Sequence, residues 1–134
     1  MESTFADWLN ENTLVRLGTS SLHGVGVFAL TNISSGSDPF PGIKKRHALV
    51  PMSRDEVDSL EEHVKRMVLD FCIPQDGVYW VYKDGFSSMD MSFFLNASRE
   101  KEPNVQLVHM KGSTLAQFRT IRDVARGEEL LFAY

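Results

Sequence analysis

Residues 94–98 read FLNAS and residues 103–104 read PN, and this stretch decides how the whole chain is interpreted. The apolar run at 93–95 indicates a segment that enters a core, and Asn96 follows it directly. A polar side chain so close to a core run needs hydrogen-bond partners. Asn96 is therefore either a buried structural amide or a ligand contact, and the residues alone leave both interpretations open.

A second informative stretch lies about seventy residues earlier, where residues 24–29 read GVGVFA. The alternation of side chains there predicts a strand over residues 24–30. Glycine has no Cβ, so Gly24 and Gly26 would let the backbone come close to a ligand, although a bulge or a tight hairpin is the plainer explanation. The stretch is not a dinucleotide-binding fingerprint, because no helix opens after it to receive a pyrophosphate.

A third stretch is the last one in the sequence, where residues 127–134 read GEELLFAY. A strand is expected over residues 129–132, and its alternation places Phe132 and Tyr134 on the same face. Taken alone, Tyr134 is interpreted as a packing residue with a solvated hydroxyl, and Phe132 as a core residue.

Hydrophobic periodicity predicts the helices and strands of the rest of the chain. An apolar stripe at helical spacing predicts one long helix over residues 53–72, with a capping box formed by Ser53 and Glu56 and an end before Pro74. Short strands around one long helix predict an α+β fold with a mainly antiparallel sheet. A short N-terminal helix is expected at 3–11, and the remaining strands at 13–17, 78–82, 105–110 and 115–121.

Composition limits the classes of function. A chain of 134 residues with 43% hydrophobic residues fits a single globular domain. The net charge of −4 argues against a broad basic face for nucleic acid and suits a basic peptide substrate. The single cysteine, Cys72, excludes an internal disulfide framework and a Cys-rich zinc cluster, and its place on the apolar side of the predicted helix indicates a structural thiol.

Neither a metal site nor a membrane segment is expected. No segment approaches the roughly 20 apolar residues that span a bilayer. The N-terminal residues lack the basic and apolar regions of a signal peptide, so an intracellular, non-secreted protein is expected. The four histidines are scattered through the sequence: His23, His47, His63 and His109.

In their order and spacing, the three stretches resemble the signatures of SET-domain lysine methyltransferases. The resemblance spans roughly residues 13–134, and the predicted long helix stands in the place of the family's variable insert. It implies a single SET domain over residues 1–134, with 1–12 as a short N-terminal helix. The implied fold consists of small, mainly antiparallel curved sheets, with the C-terminal segment threaded near Asn96 in a pseudoknot.

The resemblance also implies a cofactor, S-adenosylmethionine, and the residues that hold it. The backbone at Gly24, Val25 and Gly26 would hold the methionyl end of the cofactor. The side chain of Asn96 would share that contact, and the backbone at Ala97 would meet the adenine. The family usually has a histidine at the position of Ala97, so a catalytically degenerate SET domain that binds a peptide or partner is an alternative function.

The lysine side of the implied site involves Phe132 and Tyr134. Methyl transfer to nitrogen needs alignment and a neutral amine, and a lysine with a pKa of roughly 10.4 must first lose its proton. A narrow apolar channel disfavours the ammonium form, and the oxygen of Tyr134 would orient the amine without a metal. In the family, the position of Phe132 sets how many methyl groups are added, and phenylalanine there implies di- or trimethyl-lysine.

The partner implied by the resemblance is a protein that presents a lysine. The family leads us to expect a histone tail, and a histone substrate would imply a nuclear location. Many relatives cover the lysine channel with a segment that follows the position of Tyr134. A partner, further residues or a second copy of the chain in a homodimer would have to supply that cover. No direct contact with nucleic acid or membrane is expected.

One unrelated interpretation remains, a different ligand-binding fold with an aromatic peptide or methyl-lysine site. Its candidate residues are Tyr79, Trp80 and Tyr82. Alternation along a strand would separate Trp80 from the residues adjacent to it in the sequence, which favours an ordinary strand.

Overall fold

The computed structural model of the protein describes residues 4–41, 48–72, 74–109 and 116–132. Within these ranges the strands are at most five residues long and pair antiparallel in three small sheets, which confirms the predicted α+β class. The strands are β1 (Val15–Thr19), β2 (Val25–Ala29), β3 (Leu49–Ser53), β4 (Pro74–Gln75), β5 (Val78–Tyr82), β6 (Val105–His109), β7 (Ala116–Thr120) and β8 (Glu129–Leu130). The α-helices are α1 (Phe5–Asn12), α2 (Arg54–Asp58) and α3 (Glu62–Phe71), and short 3-10 helices lie at Phe86–Ser88 and Met91–Phe94.

The first sheet carries the glycine stretch at its centre. β2 lies between β1 and β8 and pairs antiparallel with both. Val27 of β2 is opposite Leu130 of β8, and both are fully buried. They join Val105 and Val124 in the main hydrophobic core. Burial of these apolar residues holds β2 in place and thereby positions Gly24, which immediately precedes it.

The C-terminal segment leaves this sheet and passes between two other parts of the chain. Leu131 forms a parallel bridge with Asn96, and Phe132 forms one with Val105. The backbone N–H of Phe132 donates to the Asn96 carbonyl at 2.8 Å, and that of Val105 donates to the Leu131 carbonyl at 3.0 Å. The strand predicted over 129–132 therefore pairs within the sheet only at Glu129–Leu130, because the next two residues bond to other segments.

The buried side chain of Asn104 fastens the same segment. Its Oδ1 accepts from the backbone N–H of Leu131 at 2.6 Å, and its Nδ2 donates to the Glu129 carbonyl at 2.9 Å. The residue is only 1% exposed. A buried amide of this kind satisfies backbone groups that lie outside regular pairing.

The prediction of one long helix over residues 53–72 is wrong, because the segment forms α2 and α3 with a break between them. Glu61, the residue before α3, has extended backbone angles (φ −56°, ψ 145°). Val57 of α2 and Val68 of α3 are both buried in one cluster with Tyr79 of β5. In one straight helix these valines would lie roughly 16 Å apart along the axis. The break lets both pack into that cluster.

The second sheet, in the order β3-β5-β4, supports these helices. β5 forms as predicted over 78–82, whereas no strand was predicted at the position of β3. Pro51 lies in the middle of β3, and proline is tolerated in a strand mainly at a sheet edge. β3 is such an edge strand, so it tolerates a proline that argues against a strand in the sequence alone.

The predicted N-terminal helix is present as α1, and its start is capped reciprocally by Thr4 and Asp7. Phe5 and Trp8 stack on each other with ring centroids 5.9 Å apart and remain exposed to solvent. In the part of the chain that is described, no helix is both long and apolar enough to cross a membrane.

Candidate functional site

Residues from distant parts of the sequence line a cavity of about 480 Å³. This volume falls in the range of roughly 300–1,000 Å³ that is typical of small-molecule sites. The lining comes from the loop before β2, from the insert between β2 and the second 3-10 helix, from that helix and the residues after it, and from β6, β7 and the C-terminal segment. The lining includes His23, Gly24, Val25, Phe71, Cys72, Trp80, Tyr82, Phe93, Asn96, Leu107, Phe118 and Phe132.

The cavity brings together four of the residues that the sequence assigned to a site: Gly24, Val25, Asn96 and Phe132. The other assigned residues are placed differently. Gly26 and Ala97 are not among the residues that line the cavity. Tyr134 lies outside the described residues. The proposed roles of Gly26, Ala97 and Tyr134 in ligand binding stay predictions.

The backbone at Gly24 has a conformation that favours glycine. Its φ is +47°, in the left-handed region where a Cβ is strained. An added Cβ would meet nothing within 4 Å, so the requirement is conformational and does not come from crowding. The Gly24 carbonyl accepts from the backbone N–H of Ser20 at 2.8 Å, which closes a tight turn at the cavity wall.

Asn96 is both a structural amide and a cavity residue, so the two interpretations of its sequence position are compatible. Its Nδ2 donates to the carbonyls of His23 and Val25, each at 3.1 Å, and to Glu129 Oε2 at 3.0 Å. The side chain therefore ties the loop before β2 to β8.

Gly26 has a reason to be glycine that sequence reasoning missed. A Cβ at Gly26 would overlap the carboxylate of Glu129 and would lie 3.1 Å from the Cβ of Ser20. The Ser20 hydroxyl donates to both oxygens of that carboxylate, at 3.0 and 2.9 Å. Gly26 thus leaves room for a polar cluster that consists of Ser20, Asn96 and Glu129. Asn96 and Glu129 carried signals in the sequence, as parts of FLNAS and GEEL, whereas Ser20 carried none, and the patterns did not show that the Glu129 side chain returns to β2.

The insert contributes aromatic side chains to the cavity that Asn96 also lines. Trp80 and Tyr82 lie two residues apart on β5 and both line the cavity, as alternation requires. Phe93 packs edge-on against Tyr82, with ring centroids 4.2 Å apart. Tyr79 is buried instead in the core of the insert, and its hydroxyl accepts from Arg54 Nη1 at 3.0 Å. The sequence predicted the strand and its alternation, and it named Trp80 and Tyr82 only for an unrelated aromatic site that also included Tyr79.

The inner end of the cavity is formed by Phe132, Phe118 and Leu107. Phe132 is only 8% exposed, and Phe118 packs edge-on against it with ring centroids 6.0 Å apart. Leu107 and Phe118 are cross-strand partners in the pair β6-β7. These three side chains present only hydrocarbon, so a charged group there would be desolvated without a hydrogen bond from them.

Cys72 lies in the cavity wall as a buried free thiol. Burial raises its pKa to about 11, so the thiol is protonated at neutral pH and is a poor nucleophile. In the described ranges, histidine, cysteine and acidic residues form no group that could hold a metal ion.

Comparison with known proteins identifies the fold. The family model described as SET domain matches residues 24–134. No curated protein matches the sequence. Among solved structures, the methyltransferase domain of human PR domain-containing protein 2 is similar at 19% identity and a TM-score of 0.60, with 91% of this chain and 77% of that chain covered.

Two further structures are similar to a comparable degree. A candidate histone methyltransferase of Plasmodium falciparum has 17% identity and a TM-score of 0.56, with 91% of this chain and 93% of that chain covered. A humanized mutant of the Chaetomium thermophilum Polycomb Repressive Complex 2 bound to the inhibitor GSK126 has 25% identity and a TM-score of 0.56. That match covers 90% of this chain and 14% of the other.

Proposed function

We propose that this chain, which belongs to the SET-domain family over residues 24–134, transfers a methyl group from S-adenosylmethionine to a lysine side chain of another protein. Lysine methylation in general is supported by the family and by the methyltransferases among the similar structures. The observation that carries the proposal is that the three sequence signatures contribute Gly24, Asn96 and Phe132 to one cavity.

The cavity fits this cofactor in size and in chemistry. It has room for a drug-sized molecule, and its lining includes an amide and several aromatic rings. Aromatic faces attract cations such as a sulfonium and also stack on planar rings such as adenine. When bound, S-adenosylmethionine supplies the electrophilic methyl group. The residues proposed to hold it are Gly24, Val25 and Asn96, with the backbone of Gly26 and Ala97 close by.

The apolar inner end suits a lysine that must react as a neutral amine. Desolvation lowers the pKa of an amine, because the charged form loses its hydration. Phe132, Phe118 and Leu107 provide such surroundings. We assign to Tyr134 the hydroxyl that orients the amine, as the family resemblance implies. The chain's own contribution is thus to align the amine and to favour its deprotonated form.

Phe132 underlies a proposal about the product. Its ring offers no hydroxyl to hold a water or the amine, so a methylated nitrogen can rotate its lone pair into line. The surrounding hydrocarbon of Phe118 offers no substitute for that hydroxyl. The proposed product is accordingly di- or trimethyl-lysine.

A histone tail is the proposed substrate, with a nuclear site of action, because one of the similar proteins is described as a candidate histone methyltransferase. The net charge of −4 favours a basic peptide. A second copy of the chain in a homodimer is a proposed cover for the lysine channel.

A second candidate function is a degenerate SET domain that binds a peptide or partner without turnover. The observation that favours it is Ala97, which stands where the family usually has histidine. A degenerate domain would bind its partner with the same surfaces and would leave lysines unmodified.

Incubation with labelled S-adenosylmethionine and a panel of histones, with modified lysines located by mass spectrometry, distinguishes the two candidates. We expect label on a lysine, and loss of label when the Asn96→Ala variant is used. Peptide binding without any label, at protein concentrations that give measurable cofactor binding, would favour the degenerate domain. Wild-type protein that binds neither S-adenosylmethionine nor S-adenosylhomocysteine in calorimetry would contradict the proposed enzyme.

A further inference from the structure

The carboxylate of Glu129 reaches back from β8 to the loop that begins the cavity wall. Ser20 Oγ donates to its two oxygens at 3.0 and 2.9 Å, and Asn96 Nδ2 donates to Oε2 at 3.0 Å. Ser20 is 8% exposed, and its oxygen accepts from the backbone N–H of Leu22 at 3.0 Å. That contact leaves the hydroxyl proton free to point at the carboxylate. Glu129 is therefore held in one place by two donors.

This arrangement fixes which end of the Asn96 amide faces inward. The three groups around Nδ2 are the carbonyls of His23 and Val25 and the carboxylate of Glu129, and all three are acceptors. An amide oxygen in that position would meet only acceptors, so the nitrogen must lie there. The bond to the carboxylate is charge-assisted and so is the strongest of the three. The Oδ1 atom is then the polar atom of the side chain that remains for a ligand in the cavity that Asn96 lines.

We propose that Glu129 is a positioning residue that holds the Asn96 amide with its oxygen available to accept a hydrogen bond from the ammonium group at the amino-acid end of the bound cofactor. This inference rests on the proposed function, since it concerns the same cavity. Gly26 contributes to this arrangement, because its missing Cβ leaves the space in which the Glu129 carboxylate lies. Glu129 acts through Asn96, and the proposal requires no contact between the carboxylate and the cofactor.

The test compares two ligands that differ in the amino-acid end. S-adenosylhomocysteine carries the ammonium group, and 5′-methylthioadenosine lacks the whole amino-acid portion. In calorimetric titrations, Glu129→Ala should weaken binding of S-adenosylhomocysteine by about 10- to 100-fold, the range expected when a hydrogen bond to a charged group is lost. The same variant should bind 5′-methylthioadenosine as the wild type does.

The neighbouring carboxylate provides a matched control. Glu128 interacts with Arg122 and with the backbone N–H of Ala125, and it accepts a long hydrogen bond of 3.4 Å from Asn104 Nδ2, but it does not contact Ser20 or Asn96 in the hydrogen bonds of the described residues. Glu128→Ala removes one negative charge from the same segment and should leave the affinity ratio of the two ligands unchanged. In an Asn96→Ala background, Glu129→Ala should cause no further loss for S-adenosylhomocysteine, because the amide it positions is gone.

Equal losses of affinity for both ligands in Glu129→Ala would show a general structural role and would overturn the positioning role. An unchanged affinity for S-adenosylhomocysteine would also overturn the positioning role. If Glu129→Ala does not fold, Ser20→Ala keeps the carboxylate but removes one of its donors and should show the same selective loss at smaller size. The absence of that selective loss would then overturn the proposal. Wild-type protein that binds neither ligand would contradict the proposed function itself.

Discussion

The carboxylate of Glu129 lies in the space that a side chain at Gly26 would need. The two residues are neighbours because β2 and β8 pair antiparallel, with Phe28 opposite Glu129. A substitution at Gly26 therefore acts on the carboxylate before it acts on any ligand.

Gly26→Ala should weaken binding of S-adenosylhomocysteine, because the new methyl group displaces Glu129 from Asn96. Overpacking of this kind typically costs about 1–3 kcal/mol. Titration calorimetry and thermal denaturation would measure the two effects. In a Glu129→Ala background the same glycine substitution should cost clearly less stability, since the overlap with the carboxylate is gone and only the tight contact with the Ser20 Cβ remains. An equal destabilisation in both backgrounds would argue that something other than the carboxylate needs the glycine.

Asn104→Ala should lower the free energy of unfolding substantially. Its side chain satisfies the backbone N–H of Leu131 and the Glu129 carbonyl, and both partners would lose a bond inside the protein. Each buried group left unsatisfied costs about 1–3 kcal/mol. Urea denaturation would measure the loss. Asn32→Ala is the control, because Asn32 bonds to the backbone of Arg126 at the exposed surface, where water can replace it. Similar losses in both variants would contradict this account of Asn104.

Ala97→His should fold and should keep or raise methyltransferase activity if alanine is merely a tolerated departure from the family pattern. Activity assays with labelled S-adenosylmethionine, alongside a melting curve, would check this. A wild type without turnover that gains activity from this one change would support the degenerate domain as the natural function. Loss of activity in a folded variant would show that an imidazole is not accommodated at this position.

Tyr134→Phe should reduce turnover by roughly the 10²–10⁴-fold that is typical of a positioned catalytic group. The ring is kept and only the hydroxyl assigned to orient the amine is deleted. Thermal stability and cofactor affinity should stay close to those of the wild type, and both need to be measured on the same preparation. Undiminished turnover would reject the role given to this residue.

Phe132→Tyr should shift the product toward monomethyl-lysine. The added hydroxyl would point into surroundings formed by Phe118 and Leu107, where a substrate amine or a water is the natural hydrogen-bond partner. Such a partner would hold the nitrogen in place after the first transfer. Mass spectrometry of peptides at long reaction times with excess cofactor would report the product. A wild type that makes only monomethyl-lysine under those conditions would contradict the proposal for Phe132 and would leave the fold assignment unchanged.

The family and the class of fold could be predicted because they depend on local patterns. Alternation located β2 and β5, and the capping box of Ser53 and Glu56 located the start of α2. The break between α2 and α3 could not be predicted, because no glycine or proline lies between Asp58 and Glu62. Its reason is tertiary, since Val57 and Val68 must reach one cluster.

The site was predictable in part for the same reason. Gly24 and Asn96 stood in recognisable signatures, and both line the cavity. Ser20 and Trp80 carried no such signal. Ser20 matters through a carboxylate 109 positions away, and Trp80 matters because it lines the same cavity as the glycine loop. Contacts at such separation follow from the packed structure and leave no periodicity in the sequence.

The passage of the C-terminal segment between Asn96 and Val105 has a consequence for biosynthesis. During translation, β2 and the FLNAS stretch are synthesised long before β8. The parts of the cavity that form first therefore lack their contacts with the C-terminal segment until that segment is made. Contacts this distant in sequence also slow folding, because the intervening chain must be ordered before they form. Nascent chains in which the segment around Leu131 has not yet emerged should therefore expose an unfinished pocket and be targets for chaperones. The cavity can close only after the segment around Leu131 has left the exit tunnel.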